Sequence, residues 1–421
     1  MAVLIFNTCL NYLVLALSIF FLLSSESPSP AHAASVQYNV VSFGAKADGK
    51  TDSSKAFLSA WASACGSTRA ATIYVPRGRF FVRSASFNGP CKSSAITVCI
   101  DGTLVAPSNC NVNGNAGSWI VFRRVYGVSV IGGTLDGRGM GLWVCKLSGR
   151  SCPSGATNLM ISNSENILVS GLRSLNSQMF HIVISGCQNV KMQGVKVSAP
   201  GTSPNTDGIH VTASTGVTIL DSKIGTGDDC VSIGPGSNNL WIENVACGPG
   251  HGISIGSLGQ EQEEDGVQNM TVKMVAFTGT QNGLRIKSWA RPSNGFARNI
   301  LFQHAIMNNV QNPIVIDQNY CPDNSGCPNK ASGVRVSDIT YQDIYGTSAT
   351  LVAVKFDCSS KYPCTGIRMQ DVKLTYWNQV TTASCAHADG TASGLVRPSS
   401  CLSLPQNYKT ENYFKKKGQQ L

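Results

Sequence analysis

Short apolar strands recurring at a 22-residue step, a charged content of only 13% and 42 glycines predict an all-β chain wound as a right-handed parallel β-helix. About a quarter of a globular chain is ordinarily charged, and helix-rich chains carry more Glu, Lys and Ala. From Phe180 to Tyr376 one pattern repeats: an apolar strand, a turn, a second alternating strand, then Gly or Asn. The first strands read Ile182–Ile184, Ile209–Val211, Val231–Ile233, Ile253–Ile255, Leu284–Ile286 and Ile314–Ile316. The second read Val190–Met192, Val217–Ile219, Leu240–Ile242, Met270–Val272 and Ile300–Phe302. Ile209, Val231 and Ile253 are each 22 residues apart, and later steps lengthen to about thirty. Strands this short cannot bury a face alone, whereas stacked coils can. A sandwich or barrel would not keep so steady a step.

Earlier segments, Thr72–Val75, Ile120–Phe122, Val128–Ile131 and Ile167–Val169, fit the same scheme. Asp52 to Ala64 predicts a helix, with Asp52 or Ser53 as N-cap and Phe57, Ala60, Trp61 and Ala64 on one face. Such a helix would cap the N-terminal end of the solenoid. The expected organisation is a leader over 1–33, one β-helix domain over 34–408 and a basic, disordered tail over 409–421.

The leader rests on Leu13 to Leu23, an apolar run too short to span a bilayer comfortably, followed by Ala31-His32-Ala33, a small-x-small cleavage pattern. It carries no Lys or Arg before the run, a departure from the usual signal peptide. Cleavage would leave a secreted, extracellular protein, and the cysteines agree with that compartment. Cys145 with Cys152, Cys321 with Cys327, Cys358 with Cys364 and Cys385 with Cys401 are close enough in sequence to read as disulfides closing small loops. Cys230 can pair with Cys247, and Cys187, inside an apolar run, reads as a leftover buried thiol. No CxxC pair or histidine-rich cluster suggests zinc. The net charge of +10 favours acidic partners, and secretion makes an acidic polysaccharide the leading one, ahead of nucleic acid or membrane. The acidic run Gln260 to Asp265 lacks the spacing of a calcium loop and reads as a solvated tip, and Asn269-Met270-Thr271 is a glycosylation sequon.

The same step organises the chemistry. Asp207, Asp229 and His251 are 22 residues apart in turn. Equivalent positions on successive coils stack at about 4.8 Å, so these three should form a column with Asp228 beside Asp229. Crowded carboxylates push at least one pKa up, letting one act as acid while another acts as base, the division glycoside hydrolysis needs. In Gly250-His251-Gly252 the ring has no flanking side chains to shield it. In Arg285-Ile286-Lys287, alternation turns Leu284 and Ile286 inward and both cations outward, where they suit a carboxylated substrate.

Asn205-Thr206-Asp207, Gly227-Asp228-Asp229, Gly250-His251-Gly252 and Arg285-Ile286-Lys287, in that order, resemble the four signature motifs of the polygalacturonases, inverting glycoside hydrolases acting on pectin. The resemblance runs from about Tyr38 to Thr375 and is nearest the plant branch. It implies that Asp228 is the general acid, that Asp207 and Asp229 activate the attacking water, and that His251 supports the acid's protonation. It further implies that Arg285 and Lys287 bind the galacturonate carboxylate, with Asn205 and Tyr320 also contacting substrate. No metal or other cofactor is implied, the protein is expected to act as a monomer in the cell wall, and an inverting pair should stand about 6.5–9.5 Å apart. Three alternatives compete: a polysaccharide lyase on the same fold, a rhamnogalacturonan hydrolase, and a non-catalytic pectin-binding β-helix.

Overall fold

The structure, a computed structural model, describes residues 35–322 and 325–404. The expected leader and basic tail lie outside the described residues. The strands fall into two compact units, one running to His181 and including Val190–Lys196, the other comprising Ile182–Asn189 and the chain from Val197.

The first unit stacks Val36–Asn39, Ala71–Val75, Ile96–Val105 and Val128–Asp136 in one parallel ladder, continued by Glu165–Ser170 and Arg173–Leu175. A second parallel ladder holds Ala85–Asn88, Ser118–Arg123 and Thr157–Ser162. The predicted helix spans Ser54–Gly66 and buries Ala56, Phe57, Ala60, Trp61 and Ala64, the expected face with one addition. The Asp52 carboxylate accepts the Ser54 backbone N–H at 3.0 Å and the Ser54 hydroxyl at 2.6 Å, whereas the Ser53 side chain makes no cap bond. Trp61 packs its ring system tilted against Phe87 and edge-on to Phe122, tying the helix into the strand core.

The second unit carries most of the 22-residue pattern. Its longer ladder joins Thr215–Gly225, Asn238–Cys247, Val267–Thr278, Phe296–Val310, Arg335–Ser348 and Cys364–Tyr376, all parallel. The other joins Ile182–Ser185, Ile209–Thr212, Val231–Ile233, Ile253–Leu258, Asn282–Trp289, Asn312–Tyr320 and Val352–Asp357, also parallel. Ile182, Ile209, Val231, Ile253, Leu284 and Ile314 stand in one register line, so the sequence step is the coil step. Each of these six side chains is fully buried. At roughly 1.5–3 kcal/mol per buried aliphatic, this line alone is a large part of what holds the coils together. These stacked parallel coils are the expected right-handed parallel β-helix.

Asparagine does work at the coil corners that apolar spacing does not reveal. Asn239, Asn269 and Asn299 all adopt left-handed backbone with φ near +55°, a conformation that asparagine tolerates better than most residues. The Asn269 amide also donates to the Asn238 side chain at 2.9 Å, so the sequon asparagine is part of a corner ladder.

All five foreseen disulfides form, and Cys65–Cys91, whose 26-residue separation hides it, is a sixth. Cys187 is buried and its thiol donates to the Ser185 carbonyl at 3.4 Å. In the acidic loop, Glu264 folds back to accept the Gly259 and Gln260 backbone N–H groups, while Glu261, Glu263 and Asp265 are exposed. No helix among the described residues is long and apolar enough to cross a membrane.

Candidate active site

The site lies wholly in the second unit, on the shorter strands and the turns that lead into them. Asp207, Asp229 and His251 each stand two residues before a register partner, Ile209, Val231 and Ile253. Backbone bonds lock these turns together: Gly208 N–H donates to the Asp229 carbonyl and His251 N–H to the Asp228 carbonyl, both at 2.8 Å. The Cys230–Cys247 disulfide secures the chain immediately after the paired acids.

The glycines around His251 serve the backbone rather than the ring's exposure. Gly250 has φ +147°, and a Cβ there would stand 2.6 Å from the Asp228 carbonyl oxygen. Gly252 has φ +92°, and a Cβ there would stand 2.1 Å from the Asn282 carbonyl oxygen. Larger residues would push the His251 turn off its neighbouring coils.

Two subsites of charge emerge. Asp229 is almost entirely buried and fully engaged: its Oδ1 accepts from Arg285 at 2.8 Å and from the Ser254 hydroxyl at 2.7 Å, and its Oδ2 from Lys287 at 2.9 Å. Arg285 Nε also donates to Ser254 Oγ at 2.9 Å, closing the ring of contacts. Burial would raise the Asp229 pKa, but Lys287 and Arg285 outweigh it and hold the carboxyl below its ordinary range. Asp228 is more accessible, with a fifth of its side chain exposed, and its Oδ1 meets His251 Nδ1 at 3.0 Å and the Asp229 backbone N–H at 2.8 Å. His251 is the most open member, at 36%.

Asp207 is buried and shifted the opposite way from Asp229. Its burial, then the charges of Asp228 and Asp229, raise its pKa well above the usual carboxylate value. The three acids therefore retain a proton to higher pH than isolated carboxyls would, as the crowding predicts. The raised affinity falls on Asp207. In so tight a set the proton belongs to the group as a whole.

Leu284 and Ile286 face the core and Arg285 and Lys287 the opposite side, as alternation requires. Yet both cations are nearly buried and spend their bonds on Asp229. Tyr320 sets its ring 5.1 Å from Lys287 Nζ and edge-on to Trp289 at 5.6 Å. Asn205 is exposed and left-handed at φ +55°. Three further residues complete the face. His210, Ser232 and Ser254 share one register line with Arg285, and His210 Nδ1 lies 2.8 Å from Ser232 Oγ. Burial pushes His210 down to about 4, so its imidazole is neutral near pH 7. Their spacing, 22 residues twice over, was available in the sequence but carries no conspicuous motif.

Ligand atoms of Asp228, Asp229 and His251 lie within 4.8 Å of one another, close enough to hold a cation. Both Asp229 oxygens already face Arg285 and Lys287, which would repel a metal. One oxygen of Asp228 and one of Asp229 come this close because the two residues are sequence neighbours and Asp229 is pinned by its cations.

Residues 65–395 match the family described as glycosyl hydrolases family 28. The chain belongs to that family. It is 68% identical over 389 residues to a polygalacturonase of Prunus persica, covering 92% of this chain and 98% of that one. An exopolygalacturonase of Platanus acerifolia is 43% identical over 366 residues, covering 86% and 96%. Among solved structures, an Erwinia carotovora polygalacturonase superposes with a TM-score of 0.68 at 25% identity, covering 88% of this chain and all of that one. An endo-xylogalacturonan hydrolase from Aspergillus tubingensis superposes at 0.72 and 25%, covering 82% and 98%. This family 28 chain thus carries its charged cluster on the fold its solved relatives share.

Proposed function

We propose that the chain is a secreted polygalacturonase that hydrolyses α-1,4 bonds between galacturonate units of pectin in the plant cell wall, as a monomer and without a metal. One observation carries the reading: an accessible acid, Asp228, bonded to His251, beside two buried acids of opposite proton affinity. Asp228 is the group with access to a glycosidic oxygen, and His251 orients it. Asp229, held ionised by Arg285 and Lys287, acts with Asp207 to position and deprotonate the attacking water. As Asp228 gives up its proton, it becomes a third charge beside Asp207, which favours Asp207 taking the proton from water.

A retaining route would need a carboxylate free to attack the anomeric carbon. Asp229 has both oxygens committed and almost no exposed surface, which supports attack by water and hence inversion. Arg285 and Lys287 leave donors beyond those given to Asp229, and with Asn205 and Tyr320 they form the substrate-carboxylate contact.

The test is reducing-end release from polygalacturonate. Native protein should release reducing ends without creating ultraviolet-absorbing unsaturated products and should remain active in chelator. The Asp228→Asn protein should bind polygalacturonate yet release almost nothing. Ultraviolet absorbance or loss of activity in chelator would instead indicate a lyase.

A further inference from the structure

Beyond Tyr320 the same face opens into a cleft of about 520 Å³ that the mechanism does not use. Its size falls within the ~300–1,000 Å³ of small-molecule sites. Asn319, Lys330, Asp357, Ser359 and His387 are among its lining. Register joins it to the acid cluster, since Lys287 pairs with Asp317 and Asp317 with Asp357. Tyr320, whose ring lies over Lys287, sits between two lining residues, Asn319 and Cys321.

Along that line the charge changes sign, from one lysine to two carboxylates. Among the described residues lining the cleft there is one lysine, Lys330, against one carboxylate, Asp357. It therefore offers an anion none of the net attraction that Arg285 and Lys287 offer together. Among the described residues Asp357 Oδ1 accepts from Asn319 Nδ2 at 3.0 Å, and Oδ2 is 3.7 Å from the exposed Lys355. Both oxygens keep capacity to accept from sugar hydroxyls. A second carboxylate brought against them would be repelled. Asp317 already registers this crowding: burial, and to a smaller degree the Asp357 charge, raise its pKa against the opposing Asn319 N–H and Lys355.

We propose that this cleft is an outer sugar subsite and that Asp357 makes it favour a galacturonosyl unit whose carboxyl is uncharged, as in a methyl ester. The proposal rests on the hydrolase reading above. Its test compares kcat/KM on fully de-esterified polygalacturonate with that on partly methyl-esterified pectin. Asp357→Asn keeps the shape and removes the charge, and should shift the ratio about threefold or more toward the de-esterified substrate. Lys355→Met, at an exposed position, leaves Asp357 less screened and should shift it the other way by a smaller factor. Unchanged ratios in both variants, with activity retained, would overturn the subsite while leaving the hydrolase intact. A native protein inactive on both substrates would overturn the hydrolase reading and this proposal together. If Asp357→Asn does not fold, the sign of the Lys355→Met shift decides alone.

Discussion

Two clusters of polar side chains, one in each unit, differ in what they do with charge. In the first unit Asn158, Ser174 and His181 are buried together: Ser174 Oγ lies 2.9 Å from His181 Nδ1 and accepts from Asn158 Nδ2 at 3.0 Å. Every member can be neutral, and burial drives His181 down to about 3, so it stays uncharged at ordinary pH. In the second unit the cluster is charged, and its burial is tolerated only because Arg285 and Lys287 answer Asp229. The first is a closed, neutral interior network in which His181 Nε2 has no partner among the described residues. The second has an open end, Asp228 and His251, through which its charge can act on a substrate. A serine beside a histidine is not a site by itself; access and an unbalanced proton affinity make one.

Substitutions should separate the two clusters sharply. Asp228→Asn should lower kcat on polygalacturonate by about 10²–10⁴-fold, the usual contribution of a general acid, with little change in melting temperature. Arg285→Met or Lys287→Met strands part of the buried Asp229 charge and should cost about 3–5 kcal/mol in denaturant unfolding as well as activity. Ser174→Ala in the neutral cluster should cost about 1–3 kcal/mol from the lost hydrogen bond, and turnover per folded molecule should be unchanged. A large fall in kcat for Ser174→Ala at constant KM would erase the distinction.

Acid should sharpen the comparison more gently. His181 has its pKa depressed from 6.5, so the unfolded chain binds the extra proton first, and this contribution is lost as pH falls from about 6.5 through 3. Asp229 is also depressed, so its contribution is present above the ordinary carboxylate value and fades below it. Asp207 is raised, so its contribution is full at low pH and is lost as pH rises through its folded value. On acidification the His181 and Asp229 contributions thus fall while that of Asp207 rises, and a His181→Gln protein should lose less stability than native protein between pH 6.5 and 4.

The solenoid was legible because its core repeats: Ile209, Val231 and Ile253 announce both the coil length and the inward face. The column of Asp207, Asp229 and His251 follows from the same arithmetic. What stayed hidden was where charge is spent. Alternation turns Arg285 and Lys287 outward, but only packing shows that they are claimed by Asp229 before any ligand arrives. Spacing could not reveal that Asp207 has a raised proton affinity, because burial decides it. Nor could it reveal the Cys65–Cys91 bridge, whose halves meet only through the fold. The asparagine corners were visible as residues, but their left-handed geometry is a property of the turn.

The account turns on water, not a carboxylate, attacking the anomeric carbon while Asp228 donates the proton. Proton magnetic resonance of the sugar released in the first moments of polygalacturonate cleavage tests this directly. The account predicts the β-anomer appearing first from the α-linked substrate, followed by slow mutarotation. First appearance of the α-anomer would contradict it, since that requires a covalent intermediate that the buried, doubly paired Asp229 is not free to form.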